Sequence, residues 1–267
     1  MTFYIIIILV FVIFFIARKA SEKQEQIQKE QEEIQRKEWE EQAKKARENE
    51  RLAREETRNV IFSIPKFNIE LNPDYILKRN YLKYMPEIKF KNLTRYFNID
   101  TIPAYVVFDV ETTGLKPATD RIVELSAILY EGGYPSSSFS TLINPGIPIP
   151  SEVSEINNIY DDDVKDAPTL DSVTESFLEF IGNCPLIAYN ANFDLKFMYC
   201  SGIDLLKHQL FDAYALAKKA YPDSYSYKLE NIASNECRLY YDAHSSLADC
   251  YATGVIFKDE LDIITEF

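Results

Sequence analysis

An α/β fold, one mixed sheet covered by helices, is predicted on three observations. After Tyr105 the pattern alternates between β-type and helical segments as far as the C-terminus. The apolar segment Tyr105 to Val110 runs straight into Thr112-Thr113-Gly114, as a strand ending in a turn does. Further on, Leu170, Val173, Phe177, Leu178 and Ile181 recur at helical spacing.

Four segments are expected in the 267 residues: an anchor at 1–19, a polar stalk at 20–59, a connecting segment at 60–103 and the α/β domain at 104–267. Residues 3–17 are uncharged and almost wholly apolar, and Arg18 and Lys19 follow at once. A cleaved signal would carry its basic residues before the apolar run and small residues after it, so a retained single-pass anchor fits better. The run is short against the ~20 residues of a comfortable span, and the flanking basic residues can snorkel. Positive charge on its carboxyl side places the rest of the chain in the cytoplasm, at the inner (cytoplasmic) membrane.

From Ala20 to Asn59 strong helix formers dominate, and pairs such as Glu25 with Lys29 and Glu40 with Lys44 sit at i to i+4. Ile27 and Ile34 are seven apart, but Glu41 stands at the next position of that series, so a solvated single helix is expected ahead of a coiled coil. Residues 60–103 interleave bases with aromatics, among them Lys66-Phe67, Lys89-Phe90-Lys91 and Arg95-Tyr96-Phe97. Such a pattern can stack on single-stranded nucleic acid or meet a membrane, but packing of a short helical segment against its neighbour is the commoner use.

In the α/β domain, strands are expected at Tyr105–Val110, Arg121–Tyr130, Phe139–Ile143 and Pro185–Tyr189. Helices are expected at Thr169–Phe180, Ala191–Cys200, Ala213–Tyr221, Lys228–Ser234 and Ser245–Lys258, with a loop at Pro145–Pro150.

Charge is unevenly distributed. Residues 18–58 carry 12 basic and 12 acidic side chains, residues 59–100 carry 7 and 4, and residues 101–267 carry 10 and 26. So acidic a domain lacks the broad basic face that binds nucleic acid by counterion release, so any nucleic acid should be held locally, at a chain end, through metal ions. Cys184, Cys200, Cys237 and Cys250 show no Cys-x-x-Cys spacing and read as reduced thiols.

The chemistry converges on carboxylates. Asp109 and Glu111 are two apart on a strand and point the same way, a pair that raises its own pKa unless a cation compensates. Gly114 permits the close backbone approach that a bulky phosphorylated ligand needs. A third carboxylate, Asp194, follows the strand-to-helix stretch Ile187 to Phe193; a fourth, Asp249, lies five residues after His244. His208, the other histidine, reads as structural.

Asp-x-Glu-Thr-Thr-Gly-Leu at 109–115, Asn-Ala-x-Phe-Asp at 190–194 and His-x4-Asp at 244–249 resemble, in that order, the DEDDh (DnaQ-like) 3′-to-5′ exonucleases, which include the proofreading subunits of bacterial replicative polymerases. The resemblance covers roughly 104–258, with further likeness at Asp120 to Leu125, Ile156 to Pro168 and Phe211 to Ala217. It departs where the family has a His before Asn190, here Tyr189, and a His-Gly pair, here Asn157-Asn158, which bears on substrate preference more than on activity.

The resemblance implies an RNase H-like fold with a mixed five-stranded sheet. It implies two Mg²⁺ or Mn²⁺ held by Asp109, Glu111, Asp194 and Asp249, and His244 as general base for hydrolysis of the last phosphodiester to a nucleoside 5′-monophosphate. Thr112, Gly114 and Leu115, with Asn190 and Phe193, are its candidates for holding the terminal nucleotide. DNA or RNA 3′ ends are the implied substrates, and a proofreading role would need a separate polymerase. The alternative is an inactive protein that binds nucleic-acid ends or serves as a scaffold at the membrane; the retained His244 counts against it.

Overall fold

A computed structural model describes the backbone of residues 2–94 and 102–265 and the side chains of residues 19, 23, 31–94 and 102–265. The chain forms two compact units, Met1–Leu52 and Ala53–Phe267. The boundary falls inside one continuous helix, α1, Thr2–Ser63. In the first unit the described part of α1 is exposed, with ion pairs at helical spacing such as Lys37–Glu33 at 2.7 Å and Lys45–Glu41 at 2.9 Å. The Glu25–Lys29 pair and Ile27 lie outside the described side chains, as does the apolar run 3–17. Among the described residues no helix is long and apolar enough to cross a membrane.

The second unit is built on a five-stranded mixed sheet in the order β3-β2-β1-β4-β5. The strands β1 (Ala104–Thr112), β2 (Ile122–Glu131) and β3 (Tyr134–Leu142) form an antiparallel meander; β4 (Leu186–Ala188) and β5 (Leu210–Asp212) run parallel to β1. Along β1, Val106, Phe108 and Val110 enter the apolar layer that includes Val173 and Phe177 of α4 (Leu170–Ile181) and Leu195 and Phe197 of α5 (Asn192–Cys200). Tyr105 and Val107 face the other way, onto Cys250 and Phe257 of α8 (Ser246–Thr265). Asp109 and Glu111 continue this second series, so strand alternation alone aims both at α8.

α8 lies close to the sheet because Gly254 has no side chain: a Cβ there would collide with the Tyr130 ring. Tyr130 instead reaches the helix backbone, donating its hydroxyl to Tyr251 O at 3.3 Å. The remaining helices are α2 (Ser151–Asn157), α3 (Asp161–Val164), α6 (Ala213–Ala220) and α7 (Leu229–Asn235).

Residues 64–94 are not the expected helical segment. They form an extended strap with a single 3-10 turn, Leu82–Tyr84, and Pro65, Pro73 and Pro86 explain why no helix propagates. The strap bridges β3 at Lys66 with Ser138 and β5 at Phe90 with Leu210, so it covers both edges of the sheet. Between these points Phe67, Ile69, Leu77, Met85 and Ile88 pack on the core, Phe67 edge-on to Phe180 at 5.3 Å. The packing role expected of this segment is therefore met by extended backbone. Arg95, Tyr96 and Phe97 lie outside the described residues.

Candidate active site

Asp109 pairs with Ser126 and Glu111 with Glu124 across β1 and β2, and a bulge follows between Glu111 and Thr112. The bulge and turn are fixed from within. Thr112 donates its hydroxyl to Gly114 O at 2.6 Å, Thr113 exchanges hydrogen bonds with Arg121, and Lys116 N donates to Asp120 Oδ2 at 2.7 Å. Gly114 lies so close to the Asp120 carboxylate that a Cβ would displace it. Leu115 stands at the turn, 82% exposed. An apolar side chain this free of the fold can meet a ligand without any rearrangement.

Asp194, in the first turn of α5, is buried and accepts a hydrogen bond from Val110 N at 3.3 Å, which ties it to the same strand. Asn190, with φ at 59°, sits in the left-handed backbone that Asn tolerates and lines the cleft described below. Phe193 is half-buried against Phe197, with ring centroids 4.9 Å apart. Asp249, in the first turn of α8, comes down from the opposite side. Donor atoms of Glu111, His244 and Asp249 all lie within 4.8 Å of one another, close enough to share one cation.

The charges in this cluster are uncompensated. Burial, with Asp194, Asp249, Glu111 and Glu124 as further contributors, holds Asp109 well above the usual carboxylate range. Burial and then Asp249 push Glu111 up to about 8. Burial raises Asp194 to about 8 against hydrogen bonds from backbone N–H groups, including that of Val110. Asp249 rises to about 7, again chiefly by burial, although the Tyr241 hydroxyl and the His244 N–H pull it back. Oδ1 of Asp249 is buried with no hydrogen-bond partner in the protein. A hard divalent cation answers both observations: it neutralises the clustered charge and satisfies the orphaned oxygen. The donor set fits such an ion.

Three neighbours complete the site that reading the sequence left out. Glu124 accepts a hydrogen bond from Ser246 N at 2.9 Å and is pushed up by burial. Its place opposite Glu111 depends on the β1–β2 register, which spacing along one strand does not reveal. Tyr241, buried, hydrogen-bonds Asp249, and burial followed by that carboxylate raises its phenol. Asn157 is buried too; its Oδ1 accepts from Ile159 N at 3.1 Å, and its amide group lowers Glu111 slightly. Asn158 beside it has φ at 55°, which accounts for the glycine the exonuclease pattern carries at that point.

A cleft of about 700 Å³ opens beside Asp249 and His244. Its wall is aromatic, with Tyr189, Tyr214, Tyr225 and Tyr227, and Lys228 stands beside Tyr227. Tyr189 donates its hydroxyl to Tyr227 O at 2.8 Å, so the residue replacing the family's histidine braces this wall.

A five-stranded mixed sheet under α8, with four carboxylates and a histidine gathered at the end of its first strand, defines a phosphodiester hydrolase of the RNase H-like class. Residues 106–257 match the exonuclease family of RNase T type. The chain belongs to that family, and its motif order places it among the DEDDh, DnaQ-like 3′-to-5′ exonucleases.

Among curated relatives, the DNA polymerase III subunit epsilon of Treponema pallidum is 39% identical over 137 residues, covering 49% of this chain and 63% of the relative. The PolC-type DNA polymerase III of Clostridium perfringens is 36% identical over 169 residues, 60% of this chain but 12% of the relative. The chain thus spans a small fraction of the PolC-type polymerases and somewhat under two thirds of the epsilon subunit. Among solved structures, exonuclease X in complex with 5′ overhanging duplex DNA superimposes with a TM-score of 0.50 at 21% identity, covering 61% of this chain and 98% of that one. The zinc-bound form of the E. coli ExoI-ssDNA complex has the same score at 19% identity, with 60% and 40% covered. These superpositions establish the fold.

Proposed function

We propose that this protein is a membrane-tethered, divalent-metal-dependent exonuclease that removes nucleoside 5′-monophosphates from the 3′ ends of nucleic acid, DNA ahead of RNA. The observation that carries the reading is the approach of Glu111, His244 and Asp249 donor atoms to within 4.8 Å, beside Asp109 and Asp194, at the mouth of an aromatic cleft.

Asp109, Glu111 and Asp249, with Asp194 in support, would hold two Mg²⁺ or Mn²⁺. Held by these side chains, such ions would supply charge neutralisation at the phosphate and a more acidic attacking water. His244, exposed at the cleft, accepts the proton of the attacking water. Tyr241 orients Asp249 through its hydroxyl, and Glu124 braces the first turn of α8 through Ser246 N. Leu115 and the backbone around Gly114 pack on the terminal nucleotide, with Thr112 holding the turn's shape and Asn190 and Phe193 flanking the far side.

The preference for DNA rests on the polymerase relatives, which also suggest a separate polymerase as partner. The tether is the apolar run 3–17, followed by Arg18 and Lys19, which would hold the exonuclease unit on the cytoplasmic side of the membrane.

Hydrolysis of 5′-labelled single-stranded DNA, 3′-recessed duplex and short RNA by the full-length chain tests this. Stepwise shortening from the 3′ end in Mg²⁺ or Mn²⁺, abolished by EDTA and by Asp109→Ala, is expected. A folded protein that shortens none of them in either metal would overturn the reading and leave an end-binding protein in its place.

A further inference from the structure

The loop that delivers His244 is held from outside the family-matched region. Arg54, near the end of α1, donates from Nη1 to Tyr241 O at 3.0 Å and lies 3.9 Å from Asp242 Oδ1. One turn on, Arg58 Nη2 meets Asp242 Oδ2 at 3.0 Å. Another turn on, Ile61 is buried in the apolar cluster that also contains Tyr241 and Ala248. Three successive turns of α1 therefore grip Tyr241 and Asp242, which stand three and two residues before His244.

The loop needs such a grip. Its two ends are left-handed, with φ of 53° at Arg238 and 66° at His244, backbone that residues with side chains keep only where the surroundings over-determine it. Inside the loop, Leu239 N donates to Ala233 O at 2.8 Å, and the Tyr241 hydroxyl reaches Asp249. These contacts fix the start of the loop and one side chain, and the His244 N–H on Asp249 fixes its far end, which leaves the Tyr241–Asp242 backbone between them. Among the described residues, the Tyr241 carbonyl and the Asp242 carboxylate take their polar contacts from α1 alone.

We infer that Arg54 and Arg58 are positioning residues for the hydrolytic step: by fixing Tyr241 and Asp242 they set the place of His244 over the carboxylates. The inference rests on the reading of His244 as proton acceptor. The side chains of Arg58 and Asp242 are 63% and 49% exposed, so their pair adds little to global stability. Its effect falls on geometry instead, because a misplacement of about 1 Å can cost on the order of 100-fold in rate.

The test compares full-length wild type with Arg54→Met, Arg58→Asp, Asp242→Arg and the exchanged pair Arg58→Asp with Asp242→Arg. Lys37→Ala on the exposed part of α1 serves as control. Steady-state hydrolysis of a single-stranded oligodeoxynucleotide in Mg²⁺ is read beside amide hydrogen exchange over residues 239–245. We expect the three single variants to lose about 10-fold to 100-fold in kcat with KM within about twofold. Their loops should exchange faster, and the exchanged pair should recover part of both properties, because Arg54 then faces an arginine. The control should match wild type.

A rise in KM with kcat unchanged would overturn the proposal by making the arginines substrate contacts. So would unchanged kcat and exchange, or failure of the exchanged pair to recover either. Full activity in His244→Ala would instead remove the proton-acceptor assignment, while the exchange data still decide whether α1 holds the loop.

Discussion

Glu33 on the exposed helix and Glu111 at the end of β1 are the same side chain in opposite settings. A hydrogen bond from Lys37, with its charge, holds Glu33 below its ordinary pKa, and Arg51 does the same for Glu48. Among the described residues no Lys or Arg contributes at Glu111; burial and then Asp249 push it up to about 8. Helical spacing pairs Glu33, Glu40, Glu41 and Glu48 each with a base, so this part of α1 balances its charge locally. The sheet does the reverse: strand alternation and the β1–β2 register stack Asp109, Glu111 and Glu124 on one face, and α5 and α8 add Asp194 and Asp249. The first arrangement is complete as it stands. The second gathers like charges that a cation from solution would balance.

Removing a member of the uncompensated cluster gives the largest expected effect. Asp109→Asn should lower turnover on a DNA 3′ end by about 1,000-fold or more if it deletes the proposed metal ligand and not only a charge. The same substitution should raise the melting temperature of the metal-free protein at pH 8, because it relieves repulsion. Loss of both activity and metal-free stability would mean that Asp109 is structural.

The next effect is on stability against pH. Glu111, Asp194 and Asp249 have folded-state values of about 8, 8 and 7, above the ordinary carboxylate values of the unfolded chain. Between those limits the folded state binds more protons than the unfolded one, so stability falls as pH rises. In EDTA the melting temperature should therefore decline from pH 5 to pH 8, by roughly 2–4 °C for each kcal/mol lost. Saturating Mn²⁺ should flatten the decline, most strongly at the alkaline end. The general repulsion of a chain with net charge −13 acts in the same direction, and Asp249→Asn separates the two by removing only the local part.

Glu124→Gln keeps the volume and the contact with Ser246 N but removes one charge, and should weaken metal binding by about 10-fold, as loss of an outer partner does. Smallest of all, Lys37→Ala and Lys45→Ala on the stalk should leave activity and melting temperature unchanged, since both ion pairs are more than half exposed. A measurable loss there would erase the contrast between the two regions.

The pattern of bases, apolar periods and carboxylates in the chain made much of this legible. β1, β2 and α4 sit where alternation and helical spacing put them, and donor atoms of Glu111, His244 and Asp249, three of the residues the motifs single out, lie within 4.8 Å of one another. What escaped reading has physical reasons. β5 spans three residues, Leu210–Asp212, too few to show a period. α2 and α3 are short and polar, too brief to show an apolar period, and packing of Val164 holds α3 in place. The strap at 64–94 takes its shape from prolines and from sheet edges far away in sequence, and the same holds for Glu124, Tyr241 and the arginines of α1. Local pattern reports which face a side chain shows. It does not report what folds back onto that face.

Calorimetric titration of Mn²⁺ into the full-length protein, in two buffers of different ionisation enthalpy at pH 7 and pH 9, tests the need for a cation most directly. Because Glu111 and Asp194 are mostly protonated and Asp249 about half protonated at pH 7, binding should release at least one proton per chain there and far fewer at pH 9. Asp109→Asn should bind weakly. Absence of Mn²⁺ binding, or binding with no proton release at pH 7, would contradict a site completed by metal.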